Sequence, residues 1–321
     1  MVKYDVVCIG SATIDHFSII EGSFENVKIG DKILVYDQEL MVGGGGVNSS
    51  VGLKRLGFKA GFLGKLGRDH NAEKILNVLK DEKVDIIKTR RSIDTTSYSY
   101  IASFPKNKDR IIFTYKGSND DLSYEEVPKL NTKWIYLATM LGRSWTASKK
   151  IARDARHNKI KLLFNPSKYL ASKGTVFCGP ILKYTDILIL NKNEAQLLLN
   201  KKKQNNIEVL LKSLNKLTSG IVIITEGKNG VHAYDRGRFF SVPAYDVKVF
   251  DVTGAGDAFA SGFLGAYIKT NDIFKSLKIG NANSASVIQH LGAQNKLLTW
   301  KEATDYVKKH DVSIISHIHS K

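Results

Sequence analysis

The chain has 321 residues, 43% hydrophobic and 25% charged, a balance that excludes a disordered or fibrous protein. No apolar run approaches the ~18–20 residues that span a bilayer, and the opening "MVKYDVVCIG" reads as a first buried strand rather than a signal peptide. The net charge of +17 invites an anionic partner, yet the longest basic run, "NKKKQNN" at 200–206, carries no interleaved aromatics, so a lysine-rich solvated surface is expected and nucleic acid is not.

In chain order, short apolar runs alternate with helical patterns. Strands are predicted over 4–10, 60–64, 134–139, 160–165, 186–191 and 220–225. Helices are predicted over 46–56, 70–81, 146–158, 193–199, 205–217, 254–269, 272–290 and 300–309. Continuously apolar strands alternating with helices imply a mainly parallel sheet covered on both faces, with ligands at the carboxyl ends of the strands. Cys8 falls in a strand pattern and Cys178 in a loop-like stretch, without metal-ligand spacing or a disulfide framework. A reduced, cytoplasmic setting is the simplest expectation.

Two stretches break the rhythm. Residues 14–42 alternate like strands with glycine turns, and 95–116 read as a hairpin around the polar turn "PKNKD". Together, at about 14–42 and 95–118, they predict a small separate β-sheet inserted in two pieces, a lid on a single domain of residues 1–321. The alternative is an ordinary extension of the main sheet. Tyr98 and Tyr100 alternate on one face of the hairpin, where they would stack on a base or simply pack the flap.

Two glycine turns carry the chemistry. Gly43 to Gly46 precede a helix whose first turn holds Asn48, an amide that both donates and accepts, as a polyhydroxylated ligand requires. The turn lacks the Lys-Ser/Thr ending of a phosphate-cradling Walker loop. The second turn, "TGAGD" at 253–257, opens another helix. The N–H groups of Gly254, Ala255 and Gly256 would form an anion site with positive dipole character, and Asp257 would stand beside it as a base. Taken alone, Asp257 reads equally well as a helix cap. Asp251 either fixes the loop or contributes to a cation site.

Together, in this order, the two turns resemble the signatures of the ribokinase-like (PfkB) carbohydrate kinase family. The first matches at Gly43, Gly44, Gly46, Asn48, Ser50, Gly57 and Gly67, and the second, D-x-x-G-A-G-D, at Asp251, Gly254, Ala255, Gly256 and Asp257. The resemblance implies a three-layer α/β sandwich with a β lid. It also implies ATP-dependent phosphorylation of a hydroxyl, expected to be primary, on a sugar or nucleoside. Asp15, Gly43, Gly44 and Asn48 would bind the acceptor. Asn191 and Glu194 of "NKNE" would organise Mg²⁺, and Asn191, Thr225, Gly227 and Asn281 would bind the nucleotide. A monovalent cation such as K⁺ is a further candidate, although the loop around His290 carries no arginine or second acidic residue to fix it. Glu226 departs from expectation, being acidic beside a polyphosphate. Arg110 and Arg143 leave open a phosphorylated sugar as acceptor, and a ligand sensor that kept the fold is the non-enzymatic alternative. In this family lid sheets often pair across a homodimer, which the alternating strand at 96–103 would permit.

Overall fold

The computed structural model describes residues 3–104, 109–310 and 315–318. From β1 (Tyr4–Ile9) the chain leaves the main sheet for β2 (Thr13–Ile20) and β3 (Val35–Gly43), then returns through α1 (Gly45–Arg55) to β4 (Ala60–Leu63). After α2 (His70–Asp81) and the short β5 (Asp85–Ile86), a second excursion forms β6 (Tyr98–Phe104) and β7 (Asp109–Tyr115). The main sheet resumes with β8 (Thr132–Ala138), α3 (Gly142–His157) and β9 (Lys161–Asn165), followed by α4 (Lys168–Ala171) and α5 (Gly174–Leu182). Next come β10 (Ile187–Asn191), α6 (Lys192–Leu198), α7 (Ile207–Asn215) and β11 (Ile221–Thr225). The hairpin β12 (Val231–Asp235) and β13 (Arg238–Val242) precedes α8 (Ala255–Thr270), α9 (Ile273–Val287), α10 (Trp300–Lys309) and β14 (Ile315–Ile318).

The large sheet has the order β14-β13-β12-β11-β10-β9-β8-β1-β4-β5. It is parallel from β5 to β11 and antiparallel beyond. Strand residues alternate between two cores. Val7, Ile9, Leu137, Phe164 and Leu190 pack beneath α3, α5, α6 and α7, while Val6, Cys8, Tyr136, Leu163 and Ile223 pack against α1, α8 and α9. Strands buried on both faces read as unbroken apolar runs, which is why the parallel strands are legible in the sequence.

Some elements differ from expectation. Cys178 lies inside α5, fully buried, rather than in a loop; Gly174, Gly179 and Pro180 mask the helical pattern there. The β12–β13 hairpin was not predicted. Its turn residues Arg236 and Gly237 both have positive φ, 46° and 85°, as a two-residue primed turn demands, so "DRGR" was the available signal.

The two irregular stretches form a separate four-stranded sheet, β3-β2-β6-β7, with β2 and β6 parallel at its centre. It is not an extension of the main sheet. Residues 105–108 of the "PKNKD" turn lie outside the described residues. Register sorts its faces: Asp15 stands beside Ser99, which stands beside Thr114, whereas His16, Tyr100 and Phe113 align on the opposite face.

Candidate active site

Asp15 on β2 and the glycine turn fit each other closely. A Cβ on residue 43 would stand 2.2 Å from the Asp15 Oδ2, so only glycine leaves the carboxylate its place. Gly44 adopts φ 97°, and a side chain there would meet the Ser11 carbonyl. Burial pushes the Asp15 carboxyl up to about 6; the Ser99 hydrogen bond and Lys116 oppose this, while Asp251 and Asp257 add to it. Asn119, from the stretch before β8, accepts from the Ala12 N–H at 3.0 Å and pins the crossing into β2.

Asn48 lies in the first turn of α1 and is buried. Its Nδ2 donates to Asp257 Oδ2 at 2.8 Å. Its Oδ1 accepts from Gln294 Nε2 at 3.0 Å, and Gln294 also donates to the Val42 carbonyl at 2.9 Å. This chain fixes the sense of the amide, so that its donor side faces Asp257. The sequence singles out the loop around His290 but not Gln294 as an individual residue.

Asp257 sits in the first turn of α8, whose N-cap is Gly254 in the left-handed conformation, φ 76°. A Cβ at 254 would overlap Ala293, at 2.4 Å from its Cβ. The Asp257 side chain is held by Asn48 and does not occupy the N-cap position. Burial raises its carboxyl above the ordinary range, and the Asn48 hydrogen bond offsets part of that rise. The Ala255 N–H turns back to the Val252 carbonyl at a long 3.3 Å.

Asn191 and Thr225 are lateral neighbours at the carboxyl ends of β10 and β11. Asn191 and Glu194 form a reciprocal capping box on α6, each side chain accepting from the other's N–H at 2.9 Å. Burial lifts Glu194 to about 7, opposed by the Asn191 N–H and reinforced by Asp257. One carboxylate at the rim of a cleft, with phosphates and waters as further ligands, is a donor set that fits Mg²⁺. Gly227 turns with φ 53°, and Asn281 on α9 donates to the Pro243 carbonyl at 3.0 Å. Glu226 is paired, with Lys192 at 2.6 Å and His232 at 3.5 Å. Burial works to raise its carboxyl, but Lys192 prevails and holds it below the usual range.

Asp251 is buried and engaged on both oxygens. Oδ1 accepts from the Thr253 N–H at 3.0 Å, the Thr253 hydroxyl at 2.8 Å and Arg110 of β7; Oδ2 accepts from the Gly292 N–H at 3.3 Å. A dissolved monovalent cation does not fit this donor set, because a guanidinium already supplies the charge. Arg143 is largely exposed and reaches Asp121 at 3.5 Å. Tyr98 and Tyr100 lie on the face of the small sheet opposite Asp15, packed near Tyr115 and His16, so they do not form a stacking platform beside Asp15.

The family model for pfkB family carbohydrate kinases matches residues 3–300. A nucleoside kinase of Methanocaldococcus jannaschii is 27% identical over 311 residues, covering 96% of this chain and 98% of that protein. A 5-dehydro-2-deoxygluconokinase of Bacillus subtilis is 27% identical over 326 residues, covering 95% and 96%. The crystal structure of the M. jannaschii nucleoside kinase, described as an archaeal member of the ribokinase family, superposes with a TM-score of 0.82 at 26% identity over 97% of this chain and all of that one. Ribokinase from Thermotoga maritima gives a TM-score of 0.83 at 21% identity, covering 95% and 99%, a likeness of fold. With both glycine turns intact within that match, the chain belongs to the pfkB family of carbohydrate kinases and is a phosphotransferase.

Proposed function

We propose that the protein transfers the γ-phosphoryl group of ATP to a hydroxyl, expected to be primary, of a free sugar or of a nucleoside's ribose, with Asp257 as general base. The observation that carries this is the 2.8 Å contact between Asn48 and Asp257, which joins the two glycine turns across 209 residues of sequence. It sets a carboxylate, raised by burial, beside an amide that can also hold an acceptor hydroxyl. Asp15 and Asn48 would orient the acceptor hydroxyls, with Gly43 and Gly44 letting the backbone approach. As the phosphoryl group moves, N–H groups at the start of α8 would meet its developing charge, Gly256 and Gly254 foremost; Ala255 joins by releasing its long bond to Val252. Asn191, Thr225, Gly227 and Asn281 would contact the nucleotide, and Glu194 would hold Mg²⁺ through water. Bound there, Mg²⁺ neutralises phosphate charge.

The small sheet would act as the lid of a single domain. Its face away from Asp15 exposes Tyr98, Phe113 and Tyr115, a surface suited to pairing with a second copy. A phosphorylated acceptor is not favoured, because Arg110 and Arg143 have acidic partners. The free, buried thiols of Cys8 and Cys178 suit a cytoplasmic protein. A panel of pentoses, hexoses, their phosphates and nucleosides with ATP and ADP tests the reading. One unphosphorylated acceptor strongly preferred with ATP supports it. Preference for a sugar phosphate, or for ADP, contradicts it.

A further inference from the structure

Arg110 joins the β6–β7 hairpin to the turn that starts α8, and it does so through a buried carboxylate. The residue pairs in register with Ser103, on the same face as Asp15, and its side chain is 29% exposed against 6% for Asp251. Its Nη1 donates both to Asp251 Oδ1, at 2.5 Å, and to Thr253 Oγ1, at 2.8 Å. The Thr253 hydroxyl in turn donates a hydrogen bond to the same carboxylate oxygen, at 2.8 Å. The backbone closes the knot: the N–H groups of Phe250 and Asp251 both donate to the Ile288 carbonyl, at 2.7 and 3.1 Å. Asp251 therefore ties the entry of α8 to the loop after α9, and Arg110 compensates its charge from β7 of the small sheet. A buried carboxylate stripped of its partner is strongly unfavourable and draws in another cation or a proton.

We propose that Arg110 is the resident cation of Asp251, a positioning residue that holds the Thr253–Gly254 turn in its working shape. Phosphoryl transfer then needs no dissolved monovalent cation, and the turn is set only while β7 lies over the cleft. A guanidinium suits this task, since it stays charged and the N–H bonds of Nη1 serve the carboxylate and the hydroxyl together. The inference rests on the kinase reading only for its kinetic readout.

The test compares wild type, Arg110→Ala and Arg110→Lys in potassium, sodium and tetramethylammonium chloride at matched ionic strength. Melting temperature is read in the same buffers and needs no acceptor. Wild type is expected to turn over at rates within twofold in all three salts and to melt alike in them. Arg110→Ala is expected to lose at least tenfold in kcat, to regain part of it with added guanidinium or K⁺, and to melt higher in K⁺ than in tetramethylammonium. Arg110→Lys should fall between. Wild-type activation or stabilisation by K⁺, with kcat rising more than fivefold, overturns the proposal. So does an alanine variant with unchanged kcat and melting, or one that falls together with the lysine variant and responds to no cation. If no acceptor supports turnover at all, the acceptor reading fails while the melting curves still decide this one.

Discussion

Asn48 decides what Asp257 can do. Burial raises the Asp257 carboxyl and the Asn48 hydrogen bond works against that rise, toward the ionised form that can accept a proton from an attacking hydroxyl. Asp15 shows the same tension. Its carboxyl titrates at about 6 in the folded protein against 3.8 ordinarily, so the native state binds the extra proton between those values and stability falls as pH rises from about 4 to about 6. Asp15→Asn should remove that penalty, stabilising the protein at pH 8 by on the order of 3 kcal/mol and leaving it near wild type at pH 4, while acceptor binding is lost. Urea unfolding at the two pH values, with calorimetric titration of the acceptor, checks both halves. The wild-type acceptor KM should rise below about pH 6, as Asp15 is protonated. At this scale the sequence was informative for residues within a contiguous motif. Gln294 and Arg110 act through partners more than 100 residues away, and such pairs leave no periodic or local trace.

Among the elements, the start of α8 is the most constrained. Gly254 combines φ 76° with a wall of Ala293 atoms, so Gly254→Ala faces both backbone strain and a steric clash. The expected loss is about 2–4 kcal/mol, read as a lower urea midpoint with an unchanged slope, and activity should fall further than stability because the turn itself is displaced. Apart from the short β5 and from α4 and α5, the parallel strands and their helices were predicted to within a few residues, since burial on both faces writes a continuous apolar run. The antiparallel edge was not. In β12 and β13 polar residues such as His232 and Ser241 interrupt the run, and the hairpin depends on the conformation of Arg236 and Gly237. The motif "NKNE" forms a helix capping box, and the metal and phosphate role proposed for it uses the same spacing.

For the whole molecule, the small sheet was legible as two irregular stretches, but its faces were not, because assigning them requires the strand register. That register puts Tyr98 and Tyr100 on the face opposite Asp15 and places Arg110 over Asp251. The aromatic face left outward should join two copies. Wild type is expected to sediment as a dimer at micromolar concentration and Phe113→Asp, altered at a residue 61% exposed, as a monomer; a wild type that stays monomeric contradicts the pairing. The role proposed for Asp257 is to take the proton of the attacking hydroxyl. Its most direct test is Asp257→Asn, with acceptor and ATP binding measured by calorimetry beside turnover with the preferred acceptor. Binding retained within a few-fold, with kcat reduced by at least ~10²–10³, is the predicted result. Near-normal turnover would contradict the account.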